Sequence, residues 1–113
     1  DRKFPFMSAP AINETQVFIG CRDKKLHAIS RADGSALWQY KTGGRVESSP
    51  LLFTDAVVVG SSDGRVYALE LGQGEELWKL DLGEAIVAAP SFARGTIFVG
   101  GEDGTLFAIK EKE

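Results

Sequence analysis

Residues 57–78 read VVVGSSDGRVYALELGQGEELW, and the frame of this stretch recurs at intervals of 40 residues. Its first glycine, Gly60, has counterparts at Gly20 and Gly100. The prolines, aspartates, alanines and tryptophans around it recur in the same register: Pro10, Pro50 and Pro90; Asp23, Asp63 and Asp103; Ala28, Ala68 and Ala108; Trp38 and Trp78. A period in the forties built from short strands is typical of a β-propeller blade.

Each copy divides into short apolar runs separated by turn residues, which predicts four antiparallel strands joined as a meander. The second strand of each copy, such as residues 57–59, is apolar at every position, whereas a strand that faced water on one side would alternate. We therefore expect neighbouring blades to cover both of its faces. The turns at Asp63-Gly64 and Asp103-Gly104 call for positive φ, and Asp23-Lys24 predicts the same left-handed conformation at Lys24.

The copies divide the chain into a blade at residues 1–40, a second at 41–80 and an incomplete third at 81–113. We predict an all-β fold of antiparallel four-stranded blades, in a partial, open propeller of nearly three blades that forms part of a single propeller domain. A propeller needs about four to eight blades to close. We expect the C-terminal part of a larger ring; the alternative is an oligomer in which several copies build the ring.

Composition argues against nucleic-acid binding, membrane insertion and an internal disulfide. The net charge is −3 and the charges of both signs are interspersed, so no basic stripe favours nucleic acid. The apolar runs are far shorter than the roughly 20 residues of a membrane span, so we expect no direct membrane insertion. One cysteine, Cys21, excludes an internal disulfide.

Residues 28–38 resemble the tryptophan-docking motif of quinoprotein-type (PQQ-like) propellers, and residues 68–78 match it again in register. This family includes quinoprotein dehydrogenases and propeller lipoproteins of outer-membrane assembly. The resemblance implies that each tryptophan packs on the adjacent blade, that its N–H finds a backbone partner, and that the alanine leaves room for it. WD repeats are the alternative, but their Gly-His and Trp-Asp dipeptides are missing.

The motif departs from the family at four turn positions. Ser30 and Glu70 stand where the family has aspartate, and Asp33 and Gln73 stand where it has threonine. Because the usual side chains tie the turn by local hydrogen bonds, we expect these turns to be less firmly held.

The recurring positions form a structural blade motif and are assigned no chemistry: Gly20, Asp23, Ala28, Gly34, Trp38, Gly60, Asp63, Gly64, Ala68, Gly74, Trp78, Gly100, Asp103, Gly104 and Ala108. Loops at 21–25, 41–48, 61–65, 81–88 and 101–105 are predicted to share one face of the ring, where function usually lies. The candidate binding residues on this face are charged: Arg22, Lys24, Arg45, Glu47, Arg65 and Glu102. The plainer interpretation is that they are solvated turn residues.

No residues are predicted to be catalytic, cofactor-binding or metal-binding. For an enzyme parent only, the resemblance implies pyrroloquinoline quinone and calcium with acidic and amide ligands, a catalytic aspartate and often a disulfide between adjacent cysteines. These groups cannot be mapped here. The single asparagine, Asn13, falls in a predicted turn. Cys21 is interpreted as a small thiol without special reactivity, and His27 as a packing residue with no second metal-type ligand at useful spacing.

The leading hypothesis is a non-catalytic propeller scaffold that binds a protein or peptide. The alternatives are a fragment of a PQQ-dependent dehydrogenase and a ligand-sensing ectodomain of a membrane kinase or transporter. The expected partners are the rest of the propeller, or other copies that associate through open blade faces and an unpaired strand edge at residues 106–109. The resemblance implies a periplasmic or extracellular location.

Overall fold

A computed structural model describes residues 9–21, 23–46, 48–86 and 88–110. Three antiparallel sheets follow one another along the chain, the first two with four strands and the third with three, and in each sheet sequence neighbours pair. We call these sheets blades 1, 2 and 3. The predicted all-β, open propeller fold is confirmed. Within the described residues, no helix is long and apolar enough to cross a membrane.

The strand bounds recur with the period of the sequence. Blade 1 contains β1 (Ala11–Ile12), β2 (Gln16–Gly20), β3 (Lys25–Ser30) and β4 (Ala36–Lys41). Blade 2 contains β5 (Leu51–Leu52), β6 (Ala56–Gly60), β7 (Arg65–Glu70) and β8 (Glu76–Asp81). Blade 3 contains β9 (Ser91–Ala93), β10 (Thr96–Gly100) and β11 (Leu106–Lys110).

Two apolar cores lie between the blades. In the first, Phe18 and Leu26 of blade 1 meet Val57, Val59 and Leu69 of blade 2. The second core joins the opposite face of blade 2 to blade 3, and its buried members are Val58, Val66, Ala68, Ile86 and Val99. Successive residues of β6 therefore enter opposite cores, as the two-residue alternation of a strand requires.

The prediction that the second strand of every copy is covered on both faces holds fully only for β6, in which residues 57–60 are all buried. Val17 and Ile19 of β2 and Phe98 of β10 are only half-buried. The physical reason is that blade 2 has a neighbour on each side, whereas blades 1 and 3 each have one neighbour among the described residues. The apolar runs of the outer blades are thus only partly covered.

In blades 1 and 2, the glycine at the end of the second strand contacts a residue of the loop that leads to the next blade. A Cβ added to Gly20 would overlap Val46, and one added to Gly60 would overlap Ile86. Both of these loop residues are fully buried. Gly20 and Gly60 therefore mark a close approach between a blade and the loop that leaves it, whereas a Cβ at Gly100 would lie 3.3 Å from Ala88, in the loop that enters blade 3.

The second turn of each blade has the predicted backbone. Lys24 has φ 71°, and its counterparts Gly64 and Gly104 have φ 89° and 93°. The left-handed conformation predicted for Lys24 is confirmed, and for a residue with a side chain it costs roughly 1–2 kcal/mol.

Trp38 connects blade 1 to blade 2. Its Nε1 donates a hydrogen bond to the Leu71 carbonyl oxygen at 2.8 Å. Its ring lies against Gly74, where an added Cβ would stand 2.5 Å from Trp38 Cε3. The indole also meets Phe18, with ring centroids 5.9 Å apart. Trp78 packs against the second core, and position 111, the counterpart of Leu71, lies outside the described residues.

The turns before the fourth strands are more firmly held than expected. The Glu70 carboxylate accepts hydrogen bonds from Gly72 N at 2.8 Å and Gln73 N at 2.7 Å. In blade 1, Asp33 Oδ1 accepts hydrogen bonds from Ser35 N at 3.0 Å and Ser35 Oγ at 2.8 Å. The expectation of weakly tied turns is wrong, because Glu70 reaches these N–H groups with its longer side chain and Asp33 replaces the missing bond at Ser30.

Gly74→Ala should destabilise the chain much more than Gly34→Ala. Both glycines have nearly the same φ, 75° and 76°, so alanine suffers the same backbone strain at each. Only the Gly74 methyl meets the Trp38 ring, while nothing lies within 4 Å of a Cβ at Gly34. We expect an extra loss of about 1–3 kcal/mol from overpacking, measured by urea denaturation. Equal losses in the two variants would contradict the contact.

Trp38→Ala should lower the free energy of unfolding by roughly 3–5 kcal/mol, because a large side chain is removed from a packed junction. Trp38→Phe keeps an aromatic ring but removes the hydrogen bond to the Leu71 carbonyl. Loss of this bond should cost about 1 kcal/mol, and the smaller ring should add a further cost. Trp78 fluorescence reports unfolding in both variants. Unchanged midpoints in Trp38→Ala would show that this junction does not hold the blades together.

Candidate functional site

The connections between blades lie on the turns that follow each second strand. Ser62 N donates to the Arg45 carbonyl oxygen at 2.9 Å, and Arg45 N donates to Ser62 Oγ at 2.7 Å. The next connection repeats this contact, since Glu102 N donates to the Ala85 carbonyl oxygen at 2.8 Å. The loops that sequence reasoning assigned to one face are thus in contact, and we call the surface formed by the described residues of these loops (21, 23–25, 42–46, 48, 61–65, 82–86, 88 and 101–105) the loop face.

The predicted binding residues of the loop face have different surroundings. Arg65 lies 3.7 Å from Asp63 and 3.8 Å from Asp81, measured between side-chain nitrogen and oxygen atoms. Lys24, Arg45 and Glu102 are exposed. Arg22 and Glu47 lie outside the described residues. Arg65 is therefore held within its own blade by two long ion pairs, of which the pair with the exposed Asp81 contributes little.

Beneath the loop face, blade 2 holds a cluster of oxygen atoms. Tyr67 Oη donates to Asp63 Oδ2 at 2.5 Å, and Gly43 N donates to the same oxygen at 2.9 Å. Asp63 Oδ1 accepts a hydrogen bond from Arg65 N at 2.9 Å. Ser61 Oγ accepts one from Asp63 N at 3.3 Å and donates to Thr42 Oγ1 at 3.2 Å. Asp63 thus ties the turn, the incoming loop and β7 together.

The pKa values of Asp63 and Tyr67 follow from this arrangement. Burial acts to raise the pKa of Asp63, but the hydrogen bonds from Tyr67, Arg65 N and Gly43 N outweigh burial and hold it below its ordinary value. Burial raises the pKa of Tyr67, and the hydrogen bond that Tyr67 donates to the Asp63 carboxylate raises it further. The cluster is therefore a neutral phenol bound to a stabilised carboxylate.

Blade 1 places different side chains at the same positions. His27 Nε2 lies 2.8 Å from Asp23 Oδ2, and ligand atoms of Cys21, Asp23 and His27 lie within 4.8 Å of one another. The interpretation that His27 has no second metal-type ligand at useful spacing is therefore wrong. The hairpin between β2 and β3 brings positions 21 and 27 together. The polar residues at the aligned positions of blade 2, Ser61 and Tyr67, were the available sequence signal for this proximity.

Asn13 occupies a turn, as predicted. Its Oδ1 accepts hydrogen bonds from Thr15 N at 3.0 Å and Gln16 N at 2.7 Å, which closes the connection between β1 and β2. The only amide of its type in the chain is thus engaged in local structure. Asn13 therefore does not match the amide ligand that the resemblance implies for a quinone–calcium site.

A groove runs between blades 2 and 3, from their outer strands to the turns that join the first and second strands of each blade. Its cavity volume is about 750 Å³. We call it the outer groove, and its apolar lining includes Phe53, Leu77, Trp78, Phe92, Ile97 and Ile109. Phe53 and Phe92 meet edge to face with ring centroids 5.1 Å apart. Sequence reasoning predicted an open strand edge in this region but not the groove beside it.

Acid should destabilise the chain through Asp63. Its pKa is lower in the folded than in the unfolded chain, so its contribution is fully present above the ordinary carboxyl value of 3.8 and is lost as the pH falls through the folded value. We expect the melting temperature to fall more steeply with decreasing pH below about 4 in the unmodified chain than in Asp63→Asn.

The matched control is Asp55→Asn, at an exposed turn of the same blade. This variant should keep the acid dependence of the unmodified chain. A pH profile in Asp63→Asn that is as steep as in Asp55→Asn would exclude Asp63 as the source.

Solved structures share this arrangement of blades. The crystal structure of BamB from Moraxella catarrhalis is 24% identical, with a TM-score of 0.78, and the match covers 93% of this chain and 33% of that chain. Quinohemoprotein alcohol dehydrogenase from Comamonas testosteroni is 24% identical, with a TM-score of 0.76, and the match covers 85% of this chain and 17% of that chain.

Quinohemoprotein alcohol dehydrogenase ADHIIG from Pseudomonas putida HK5 is 19% identical, with a TM-score of 0.84, and the match covers 96% of this chain and 19% of that chain. The chain thus spans about a third or less of the length of these relatives, and the likeness shows the fold. No curated protein matches the sequence at a significant level.

The family comparison covers most of the chain. A family model described as outer membrane protein assembly factor BamB matches residues 22–113. This range includes Trp38 of blade 1, Trp78 of blade 2, and the glycine, aspartate and alanine positions that recur in blades 2 and 3. The chain therefore belongs to the PQQ-like β-propeller repeat family represented by that model.

Proposed function

We propose that this chain is a non-catalytic propeller scaffold that binds protein by accepting an extended segment along β11. The observation that carries the proposal is the open outer edge of blade 3. In the described residues, β11 pairs with β10 on one side and has no strand on the other. A strand edge presents a row of backbone donors and acceptors that another strand can pair with.

The surface beside this edge is apolar and accessible. Leu106, on β11 itself, is 69% exposed. In blade 2 the place next to the third strand is filled by β8, with Tyr67 opposite Lys79 and Ala68 opposite Trp78. The internal repeat thus supplies the template for the occupant: an extended segment with the pattern of a fourth blade strand.

The family supports a protein partner. Its model is described as an outer membrane protein assembly factor, and a BamB structure has the same fold. We propose that the segment comes from the remainder of a propeller ring, from another copy or from a partner protein with an exposed strand. By the same likeness, we propose a periplasmic or outer-membrane-associated location.

A dehydrogenase fragment is the second candidate, and the likeness to two quinohemoprotein alcohol dehydrogenases favours it. The donor set of this chain does not match the site that such enzymes imply. Cys21 is the only cysteine, so no pair of adjacent cysteines exists, and Asn13 is engaged in its turn. We favour the scaffold because the family model that matches residues 22–113 is described as an assembly factor.

The proposal predicts that a peptide with the sequence of residues 74–81, GEELWKLD, binds the intact chain. A fluorescein-labelled peptide should show a saturable rise in anisotropy, because it pairs with β11 as β8 pairs with β7. A scrambled peptide of the same composition is the first control. Leu106→Lys should weaken binding by about tenfold or more, because a charge on an edge strand opposes pairing.

Leu37→Lys is the matched control, since Leu37 is a comparably exposed leucine, at 47%, on β4 of blade 1. This variant should bind the peptide as the unmodified chain does. Equal anisotropy with the scrambled peptide, or equal weakening by both lysine variants, would refute strand addition at β11. Reduction of a redox dye after addition of the quinone and calcium would refute the non-catalytic assignment.

A further inference from the structure

We propose that Cys21, Asp23 and His27 form a zinc site at the turn between β2 and β3 of blade 1. The thiol sulphur, a carboxylate oxygen and a ring nitrogen of these residues all lie within 4.8 Å of one another. His27 Nε2 and Asp23 Oδ2 are already 2.8 Å apart. The chain contains one cysteine and one histidine, and the fold brings both to the same aspartate.

The other blades serve as internal references for this site. Blade 2 has serine, aspartate and tyrosine at the three positions, and they form the hydrogen-bonded cluster of Ser61, Asp63 and Tyr67. Blade 3 has Gly101, Asp103 and Phe107 there. The aspartate serves the turn in every blade, since its Oδ1 accepts the backbone N–H two residues later at 2.9 to 3.0 Å. Only blade 1 flanks it with two further metal-binding groups.

The donor set suits zinc better than calcium or magnesium. Thiolate and imidazole are the softer ligands that Zn²⁺ accepts, whereas Ca²⁺ and Mg²⁺ prefer oxygen. With bonds of about 2.0–2.3 Å to sulphur, nitrogen and oxygen, a tetrahedral zinc ion separates its ligand atoms by roughly 3–4 Å. For all three atoms to bind one ion, separations of up to 4.8 Å must shorten by about 1 Å. Three protein ligands leave a fourth position for water.

The surrounding turn positions these ligands. Cys21 N donates to the Lys25 carbonyl oxygen at 3.1 Å, and Lys24 N donates to the Cys21 carbonyl oxygen at 3.3 Å. Asp23 Oδ1 is occupied by Lys25 N, so its Oδ2 is directed at His27. Cys21 is 2% exposed, while the side chains of His27 and Asp23 are 18% and 15% exposed. The thiol is thus shielded, and the ion can enter from the side of His27 and Asp23.

The test is titration of the intact, reduced chain with Zn²⁺ alone, followed by calorimetry. We expect one equivalent to bind. Co²⁺ used as a spectroscopic probe should produce the near-ultraviolet charge-transfer band of a cobalt–thiolate bond, which reports Cys21 directly. Mg²⁺ and Ca²⁺ should not compete. Failure of the unmodified chain to bind Zn²⁺, or a cobalt complex without the thiolate band, would overturn the proposal.

The variants use residues that the fold already accepts. Cys21→Ser and His27→Tyr install the blade 2 residues and should weaken zinc binding by at least about 10- to 100-fold. Asp23→Asn should also weaken it, whereas Asp103→Asn, at the blade 3 counterpart, should not. Circular dichroism shows whether each variant retains its strands, and Cys21→Ser alone decides the question if the others do not fold. Unchanged affinity in Cys21→Ser would overturn the site.

Discussion

The fold depends on burial of blade faces against one another. A single four-stranded sheet cannot remove both of its apolar faces from water, and only blade 2 achieves this here, through the two cores that share β6. Successive residues Val57, Val58 and Val59 alternate between these cores. Because burial of apolar surface is the dominant favourable term in folding, the blades stabilise one another more than they stabilise themselves. The partly exposed second strands of blades 1 and 3 follow from the same constraint.

In addition to this burial, contacts of the loops, the turns and the tryptophans fix the relative position of neighbouring blades. Val46 enters the space left by Gly20, and Ile86 enters the space left by Gly60. On the outer side, Trp38 bonds the Leu71 carbonyl and covers Gly74. The junction between blades 2 and 3 has the inner contact through Ile86, but its outer side opens into the groove. The blades are therefore most closely packed against one another near the loop face. The surfaces that we propose for a partner lie at the outer strands.

The repeat allowed most of the fold to be predicted from the sequence. Spacing alone indicated the strands, the turns and even positive φ at Lys24, because each copy constrains the interpretation of the others. Side-chain contacts could not be predicted in this way. The reach of Glu70 to two N–H groups depends on its rotamer, and the meeting of Cys21 with His27 depends on hairpin register. The outer groove required the relative placement of two blades, which sequence patterns do not encode.

The alternation of β6 between two cores gives the chain a direction. Each blade has two faces. The first face carries positions 17, 19, 27 and 29 of blade 1 and their counterparts in the other blades, and the second face carries positions 18, 26 and 28 and their counterparts. Among the described residues, no blade covers the first face on blade 1 or the second face on blade 3, so the two exposed faces are of opposite kinds. Any blade that covers one end must present the opposite face, which makes a joint between copies head-to-tail. Such heterologous joints form a closed ring when the rotation per step completes a circle, and a helical filament when it does not.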